Sequence, residues 1–348
     1  MSELSVHEQN PIDQNRLAQL RTVVGAGPVL ILTHDNPDPD GLASGKALAT
    51  LFKLAWGIPS RLVYSGLVAR AENRAMLNRL TPEWEHADIL SDLERYSALV
   101  LADAQPGAGN SSLPESYVPH VVIDHHQPVR AALKAVPYAD VRPEMGATVS
   151  LVYQHLEAAG IEPDATLATA MFYGLQVDTR GLSRGASPTD ETIYVKLLDW
   201  LDRRKLIQVE QAGLPQDYFR AFSRALQAAR IHGQAIVAYL GPMHRPDLMA
   251  EIADLLIRLD SARAALCLGS YGDTLHLSLR TVPLGLDAGL LVQEIVVPPG
   301  KAGGHGTMAG GQIPLAGREA EFLAAEVERH YLAVMGEGSD RIPLLAGL

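Results

Sequence analysis

Four short, mostly apolar runs punctuate the first part of the chain: Val29 to Leu32, Arg61 to Tyr64, Ala98 to Ala102 and Val121 to Ile123. Between and after them the pattern turns helical, over Leu42 to Leu54, Ala71 to Leu80, Ala147 to Ala159 and Ala165 to Gln176. Runs this short have strand length, and strands alternating with helices predict a parallel sheet covered on both faces. In such a sheet ligands gather beyond the carboxyl ends of the strands. Whatever stands there is the first place to look for function.

The remainder reads as a second set of elements. Asp217 to Ile231, rich in Ala and Arg and framed by Pro215 and His232-Gly233, has the pattern of a connecting helix. A strand (Gln234 to Tyr239), a helix (Pro246 to Leu259) and a hairpin around Tyr271-Gly272-Asp273 follow. A helix over Asp287 to Val296, a glycine cluster, a helix near Arg318 to Val334 and a loose tail after Gly336 complete the pattern. The expected organisation is an α/β domain with a parallel sheet over 1–205, a linker helix over 206–231 and a smaller α/β domain over 232–348; 348 residues suffice for two cores. A net charge of -11 argues against holding long nucleic acid through counterion release, so any nucleic acid bound should be short. The single cysteine, Cys267, lies in an apolar run and excludes a disulfide framework or cysteine-zinc site within one chain. The polar N-terminus, and the want of an apolar stretch of about 20 residues, point to a cytoplasmic protein with no membrane partner.

Acidic motifs stand where a parallel sheet would present ligands. Directly after Leu32 comes Thr33 to Ser44, THDNPDPDGLAS, with three aspartates and a histidine. Clustered carboxylates are costly to desolvate without a compensating cation. The loop is therefore either a solvated acidic turn or a holder of metal. A second apolar run ends in Asp103, a third in Asp124-His125-His126, and an apolar helix ends in Asp178. Singly, an aspartate after a strand is an ordinary turn or cap residue. Jointly, three strand ends on one rim and one helix end offer carboxylate and imidazole without thiolate, a set suited to Mn²⁺ or Mg²⁺ rather than structural zinc. Pro39 stiffens the link between Asp38 and Asp40. If the segment stays extended, the two carboxylates point to one side, each toward its own ion, and His34 completes the first site. Gly41 lets the chain turn into a helix whose N-terminus favours phosphate oxygens. Farther on, five glycines from Gly303 to Gly311 surround His305, which reads as an anion nest or as a flexible turn. Arg280, ending a strand, is a second candidate for an anionic group.

His34 to Ser44, the strand-terminal Asp103, Ile123-Asp124-His125-His126 and Asp178-Thr179 resemble the four motifs of the DHH phosphoesterase family. Ala302 to Gly311 is similar to the glycine-histidine signature of its associated C-terminal domain. The resemblance implies an active site in the cleft between two domains and two divalent ions, Mn²⁺ foremost and Mg²⁺ or Co²⁺ as alternatives. It implies that His34, Asp38 and Asp103 hold one ion and that Asp40, Asp103, His125 and Asp178 hold the other, with Asp103 bridging. Water activated between the ions would attack phosphorus. Asp124 would orient a histidine, His126 would face the substrate or leaving group, and Gly303, Gly304, His305, Gly306 and Arg280 would hold the substrate's terminal phosphate or base.

The closest likeness within the family is to the small members acting on nanoRNA, on 3′-phosphoadenosine 5′-phosphate (pAp) and on cyclic or linear di-AMP, and a homodimer is compatible with it. Nothing after residue 336 reads as the extra nucleic-acid-binding domain of RecJ-like exonucleases. Two stretches depart from the pattern: Ala104 to Asn110 lacks the arginine of many relatives, and Thr179-Arg180-Gly181-Leu182 replaces the common Thr-Gly-x-Phe. Arg180 could supply a phosphate contact instead. The competing expectations are a pyrophosphatase or exopolyphosphatase, against which stands the lack of a Ser-Arg-Lys tripeptide, and a non-catalytic nucleotide sensor, against which stand the filled ligand positions.

Overall fold

A computed structural model describes residues 12–87, 89–283, 285–338 and 340–345, with the backbone alone at His305. The polar N-terminal segment 1–11 lies outside the described residues. The chain divides into two compact units between Ala212 and Gly213.

The first unit carries strands β1 (Val29–Leu32), β2 (Ser60–Tyr64), β3 (Trp84–His86), β4 (Ala98–Ala102), β5 (Val121–Asp124) and β6 (Tyr138–Val141). Its helices are α1 (Gln14–Val24), α2 (Pro39–Trp56), α3 (Ala71–Arg79), α4 (Thr148–Ala158), α5 (Ala165–Asp178), α6 (Pro188–Leu198) and α7 (Arg203–Glu210). The six strands are parallel, in the order β3-β2-β1-β4-β5-β6. The order runs outward from β1 to β3 and then restarts beside β1 with β4, so β1 and β4 flank the switch point where a crevice opens in open α/β sheets.

Both faces of this sheet are buried, but by different means. Val29, Ile31, Val100 and Ile123 pack against the helices, with Leu48 and Phe52 of α2 and Leu151 of α4 in the same cluster. The alternate residues Leu30, Leu32, Leu99 and Val122 instead meet Leu93, Tyr96, Leu113 and Leu133, which lie in loops and single 3₁₀ turns. A two-residue period buried on both sides explains why these strands read as unbroken apolar runs. The residues of α2 show why it begins where it does: Asp38 caps it, Pro39 takes the first helical position and Gly57 ends it in a left-handed conformation.

The second unit contains α8 (Gln216–Ala228), β7 (Arg230–His232), β8 (Ala235–Pro242), α9 (Leu248–Leu256), β9 (Ala264–Tyr271) and β10 (Thr274–Thr281). It continues with α10 (Ala288–Ile295), β11 (Lys301–His305), β12 (Met308–Pro314), α11 (Ala320–Met335) and β13 (Ile342–Pro343). The strands form one sheet, β11-β12-β10-β9-β8-β7-β13, in which β8 and β9 run parallel and the other pairs antiparallel. Helices α10 and α11 cover one face. Helices α8 and α9 cover the other, where Ala221 and Ala225 of α8 are buried in the core. The segment 206–231, expected as a linker, is thus shared out: α7 ends in the first unit, α8 is part of the second unit's core, and Arg230 already belongs to a strand. The segment expected as a loose tail is tied down, because β13 pairs with β7 and the Leu344 N–H donates to the Ala229 carbonyl at 3.0 Å.

Candidate metal centre

The strand ends supply the ligand-type residues. His34 follows β1, Asp103 follows β4 with a left-handed backbone (φ 61°), Asp124 ends β5 with His125 and His126 after it, and Asp178 is the last residue of α5. The segment does not stay extended beyond Asp38. Helix α2 already starts at Pro39, so Asp38 is its cap, accepting from the Gly41 N–H at 3.1 Å, and Asp40 sits buried in its first turn. The helical turn separates the two carboxylates, which join different groups.

Three such groups form: His34, Asp38 and Asp103; Asp40, His125 and Asp178; and Asp103, His125 and His126. The Nε2 of His34 stands 3.6 Å from Asp38 Oδ1 and 3.5 Å from Asp103 Oδ2. The Nε2 of His125 stands 3.3 Å from Asp178 Oδ2, 3.7 Å from Asp103 Oδ1 and 3.8 Å from Asp40 Oδ2. Asp103 therefore joins the His34 and Asp38 group to the His125 and His126 group, and His125 joins the latter to Asp40 and Asp178. The Nδ1 atoms of His34 and His125 lie 2.9 and 3.1 Å from the carbonyls of Asp35 and Met145. A carbonyl only accepts, so each Nδ1 donates and each Nε2 is aimed at the carboxylates, the arrangement that suits a metal-ligating imidazole.

The donor set fits divalent cations. Asp103 Oδ2 and His125 Nε2 are buried without a hydrogen-bond partner. Such orphans are rare unless an ion or water completes them. Burial opposes charge on His34, yet the facing carboxylates of Asp103 and Asp38 hold its pKa well above the usual histidine value. Against the same burial, Asp178 and Asp103 raise His125, and Asp103 and Asp124 raise His126. Asp40 is pushed well up by burial and then by repulsion from Asp103 and Asp178. Asp178 is also raised, by burial and by Asp38. Asp103 is held down despite its burial by His126 and His34, and Asp38 likewise by His34. These shifts have one origin: four carboxylates in a buried space call for positive charge.

Residues 28–175 match the model of the DHH family, N-terminal domain, and residues 232–329 match that of the DHHA1 domain. The chain carries a DHH domain followed by a DHHA1 domain. An uncharacterized protein of Methanocaldococcus jannaschii is 35% identical over 83% of this chain, which spans only 58% of that relative's length. The bifunctional oligoribonuclease and PAP phosphatase NrnA of Thermus thermophilus is 26% identical over 89% of this chain and 88% of its own. A probable manganese-dependent inorganic pyrophosphatase of Streptococcus agalactiae is 25% identical over 53% of this chain and 58% of its own. The crystal structure of an exopolyphosphatase-related protein from Bacteroides fragilis shares the fold, with a TM-score of 0.71 over 92% of this chain and 96% of that one at 15% identity.

The DHH domain holds its acids with residues that sequence reasoning missed. Helix α4 has Ala147 at its cap position and no side-chain cap of its own. Its first two N–H groups, of Thr148 and Val149, donate instead to Asp40 Oδ2 and Oδ1 at 2.6 and 2.8 Å, and Ser44 Oγ donates to Asp40 Oδ1 at 3.2 Å. The Thr148 hydroxyl donates to Asp103 Oδ1 at 2.7 Å. An uncapped helix start after a glycine, Gly146-Ala147-Thr148, was the available signal. Gly174 of α5 is the contact that lets α2 sit this close: a Cβ there would stand 3.1 Å from the Asp40 Cα and the Pro39 carbonyl.

The DHHA1 domain departs from the nest expected at Gly303 to Gly311. That run is the hairpin of β11 and β12, and β12 is paired on both sides, so its backbone donors are taken up by the ladders. The Gly306 N–H faces Asp287 Oδ2 at 3.0 Å. Gly303 pairs with Gly310 across the hairpin. A Cβ on Gly303 would meet nothing within 4 Å, and one on Gly310 only the Leu277 carbonyl at 3.5 Å, so neither fold nor packing requires glycine at these two places. They line a cavity of about 730 Å³ together with Met249, Leu277, Ser278 and Gly304. The next rung on the same face of the sheet is the row Lys301, Gln312 and His276, which lines the same cavity. Arg280 also reaches it, but is buried, its Nε donating to Asp254 Oδ1 at 2.6 Å and its guanidinium also to Ser278 Oγ. The side chain of His305 lies outside the described residues. In the DHH domain Arg180 follows Asp178 by two residues, exposed and in a left-handed conformation (φ 49°), in the turn beyond α5.

Proposed function

We propose that this chain is a two-metal phosphoesterase acting on short nucleotides: nanoRNA or linear dinucleotides, pAp, and cyclic di-AMP. The observation that carries the reading is the chain of three acid-histidine groups linked by Asp103 and His125, with Asp103 Oδ2 and His125 Nε2 left as buried atoms without hydrogen-bond partners. His34, Asp38 and Asp103 would hold one ion, and Asp40, Asp103, His125 and Asp178 the other. Divalent ions there, with Mn²⁺ the first choice, would supply positive charge to phosphoryl oxygens and acidify water for in-line attack. The protein's own part is to fix the ligands from behind. Thr148 and the α4 N-terminus hold Asp103 and Asp40, and the Asp35 and Met145 carbonyls set the two imidazoles. His126, partly exposed and held by Asp124 at 2.8 Å, is the group assigned to the substrate or leaving oxygen.

The DHHA1 cavity is assigned to the substrate's base. Its bare Gly303-Gly310 floor offers a flat surface to a planar ring, with Lys301, Gln312 and His276 as polar neighbours. Arg280 is assigned to the terminal phosphate along with His305, and Arg180 to a phosphate on the metal side. Two observations favour nucleotides over inorganic phosphoanhydrides. The NrnA relative matches through both units, whereas the pyrophosphatase relative matches over half the chain. A cavity of about 730 Å³ also exceeds what pyrophosphate needs and falls in the usual range for small-molecule sites.

The test is hydrolysis by purified protein with Mn²⁺ of pApA, pAp, cyclic di-AMP and pyrophosphate, with Asp103→Asn as control. Turnover of a nucleotide that the substitution abolishes is the expected result. Cleavage of pyrophosphate alone would move the protein to the phosphoanhydride hydrolases, and metal-dependent nucleotide binding without turnover would make it a sensor.

A further inference from the structure

Gln105 is buried two residues beyond Asp103, and the reaction outlined above makes no use of it. Its amide is fully engaged. The Nε2 donates to Asp124 Oδ2 at 2.6 Å and to the His126 carbonyl at 2.8 Å, while Oε1 accepts from the Arg130 N–H at 2.8 Å. Two acceptors on one side and a backbone donor on the other fix which way the amide faces. The side chain thus ties the end of β4, which carries Asp103, to the loop after β5, which carries both histidines.

The consequence falls on His126. Asp124 is fully buried, and its Oδ2 accepts from Gln105 and from the His126 N–H at 3.1 Å. Its Oδ1 faces His126 Nδ1 at 2.8 Å. With one oxygen saturated by donors, the other is left to accept from the ring, so Nδ1 carries the hydrogen and Nε2 is the nitrogen free of this network. We propose that Gln105 is a positioning residue: by fixing Asp124 it holds His126 in the Nδ1–H tautomer, with the ring set so that Nε2 is presented to the substrate. Without the amide donors Asp124 can turn, and the tautomer is no longer imposed. Only the identity of what meets Nε2 rests on the phosphoesterase reading.

The experiment is ¹⁵N-histidine NMR on the full metal-free chain in alkaline buffer, where imidazoles are neutral, comparing wild type with Gln105→Glu and Gln105→Leu. Gln105→Glu keeps the size and the acceptor for Arg130 and, ionised in that buffer, offers neither donor. Wild type should show a protonated Nδ1 and an unprotonated Nε2 for His126, and both variants a shift toward the Nε2–H form. In the Mn²⁺-loaded protein, kcat on a dinucleotide should fall about 10- to 100-fold, the range for outer-layer partners of such sites. The loss on a p-nitrophenyl phosphodiester, whose leaving group needs no proton, should be much smaller. If Gln105→Leu does not fold, Gln105→Glu decides. A folded Gln105→Glu that keeps the Nδ1–H tautomer overturns the proposal, as does a loss equal on both substrates. A wild-type protein inert toward every phosphoester would sink the proposed reaction and leave the tautomer result to judge Gln105.

Discussion

The Thr148 hydroxyl donates to Asp103 Oδ1 at 2.7 Å while the Thr148 N–H donates to Asp40 Oδ2 at 2.6 Å, so one residue grips the two buried carboxylates of the proposed metal centre. Both bonds come from the first turn of α4, whose N-terminal dipole favours the negative charge it caps. The face of Asp103 proposed to meet an ion is left to Oδ2, which has no hydrogen-bond partner. Thr148→Val keeps the shape and the backbone N–H but removes the hydroxyl. Calorimetric titration with Mn²⁺ should show affinity weakened about 10- to 100-fold. Thermal unfolding of the metal-free variant should show a loss of about 1.5–3 kcal/mol, as for a hydrogen bond to a charged group. Unchanged Mn²⁺ affinity would remove Thr148 from the account.

Gly174→Ala tests the closeness of α5 to α2. A methyl group 3.1 Å from the Asp40 Cα forces the helices apart, a cost of about 1–3 kcal/mol for overpacking. Because the displaced turn carries Asp38 and Asp40, Mn²⁺ affinity should fall as well. A stability loss with metal binding intact would show that the contact serves packing alone.

The pH dependence of metal binding follows from the shifted groups. His34 and His125 are raised by their carboxylate neighbours against burial, so their contribution to the stability of the metal-free protein is complete below the unfolded value of about 6.5 and is lost as pH rises through the higher folded values. Asp40 and Asp178, raised by burial and by other carboxylates, lose stability in the same upward direction as they ionise. Cations replace the lost protons. The rise in Tm on adding Mn²⁺ should therefore be larger near pH 8 than near pH 6, with protons released on binding. A stabilisation that shrinks as pH rises would contradict the electrostatic account.

Gly303→Val tests the base site. Valine suits a strand and meets open space, so folding should be untouched. KM for a dinucleotide should rise about 10-fold or more, since a filled floor forfeits the ring's contact area. Hydrolysis of a p-nitrophenyl phosphodiester should be unaffected. His305→Ala should discriminate between the same substrates in the same direction.

What could be read from the sequence was what a single local pattern encodes. The runs at β1, β4 and β5 were legible because burial on both faces makes them uniformly apolar, and the acids at their ends followed from parallel topology. Strand β6 was not legible, since Tyr138 and Asp140 belong to a buried polar set with His155 and Arg142 that breaks the apolar pattern. The Gly303–Gly311 hairpin was misread because glycine hides strand periodicity. Gln105 went unseen for another reason: it acts through hydrogen bonds to residues 19 to 25 positions away, which leave no local trace, while Thr148 showed only as the uncapped start of α4.

The central claim is that these six side chains hold two ions. Crystals grown with Mn²⁺, examined by anomalous scattering, test it most directly. The account predicts two peaks per chain about 3.5–4 Å apart, joined by Asp103, one against His34 and Asp38 and the other against Asp40, His125 and Asp178. A single peak, or ions held elsewhere with Asp103 unengaged, would contradict it.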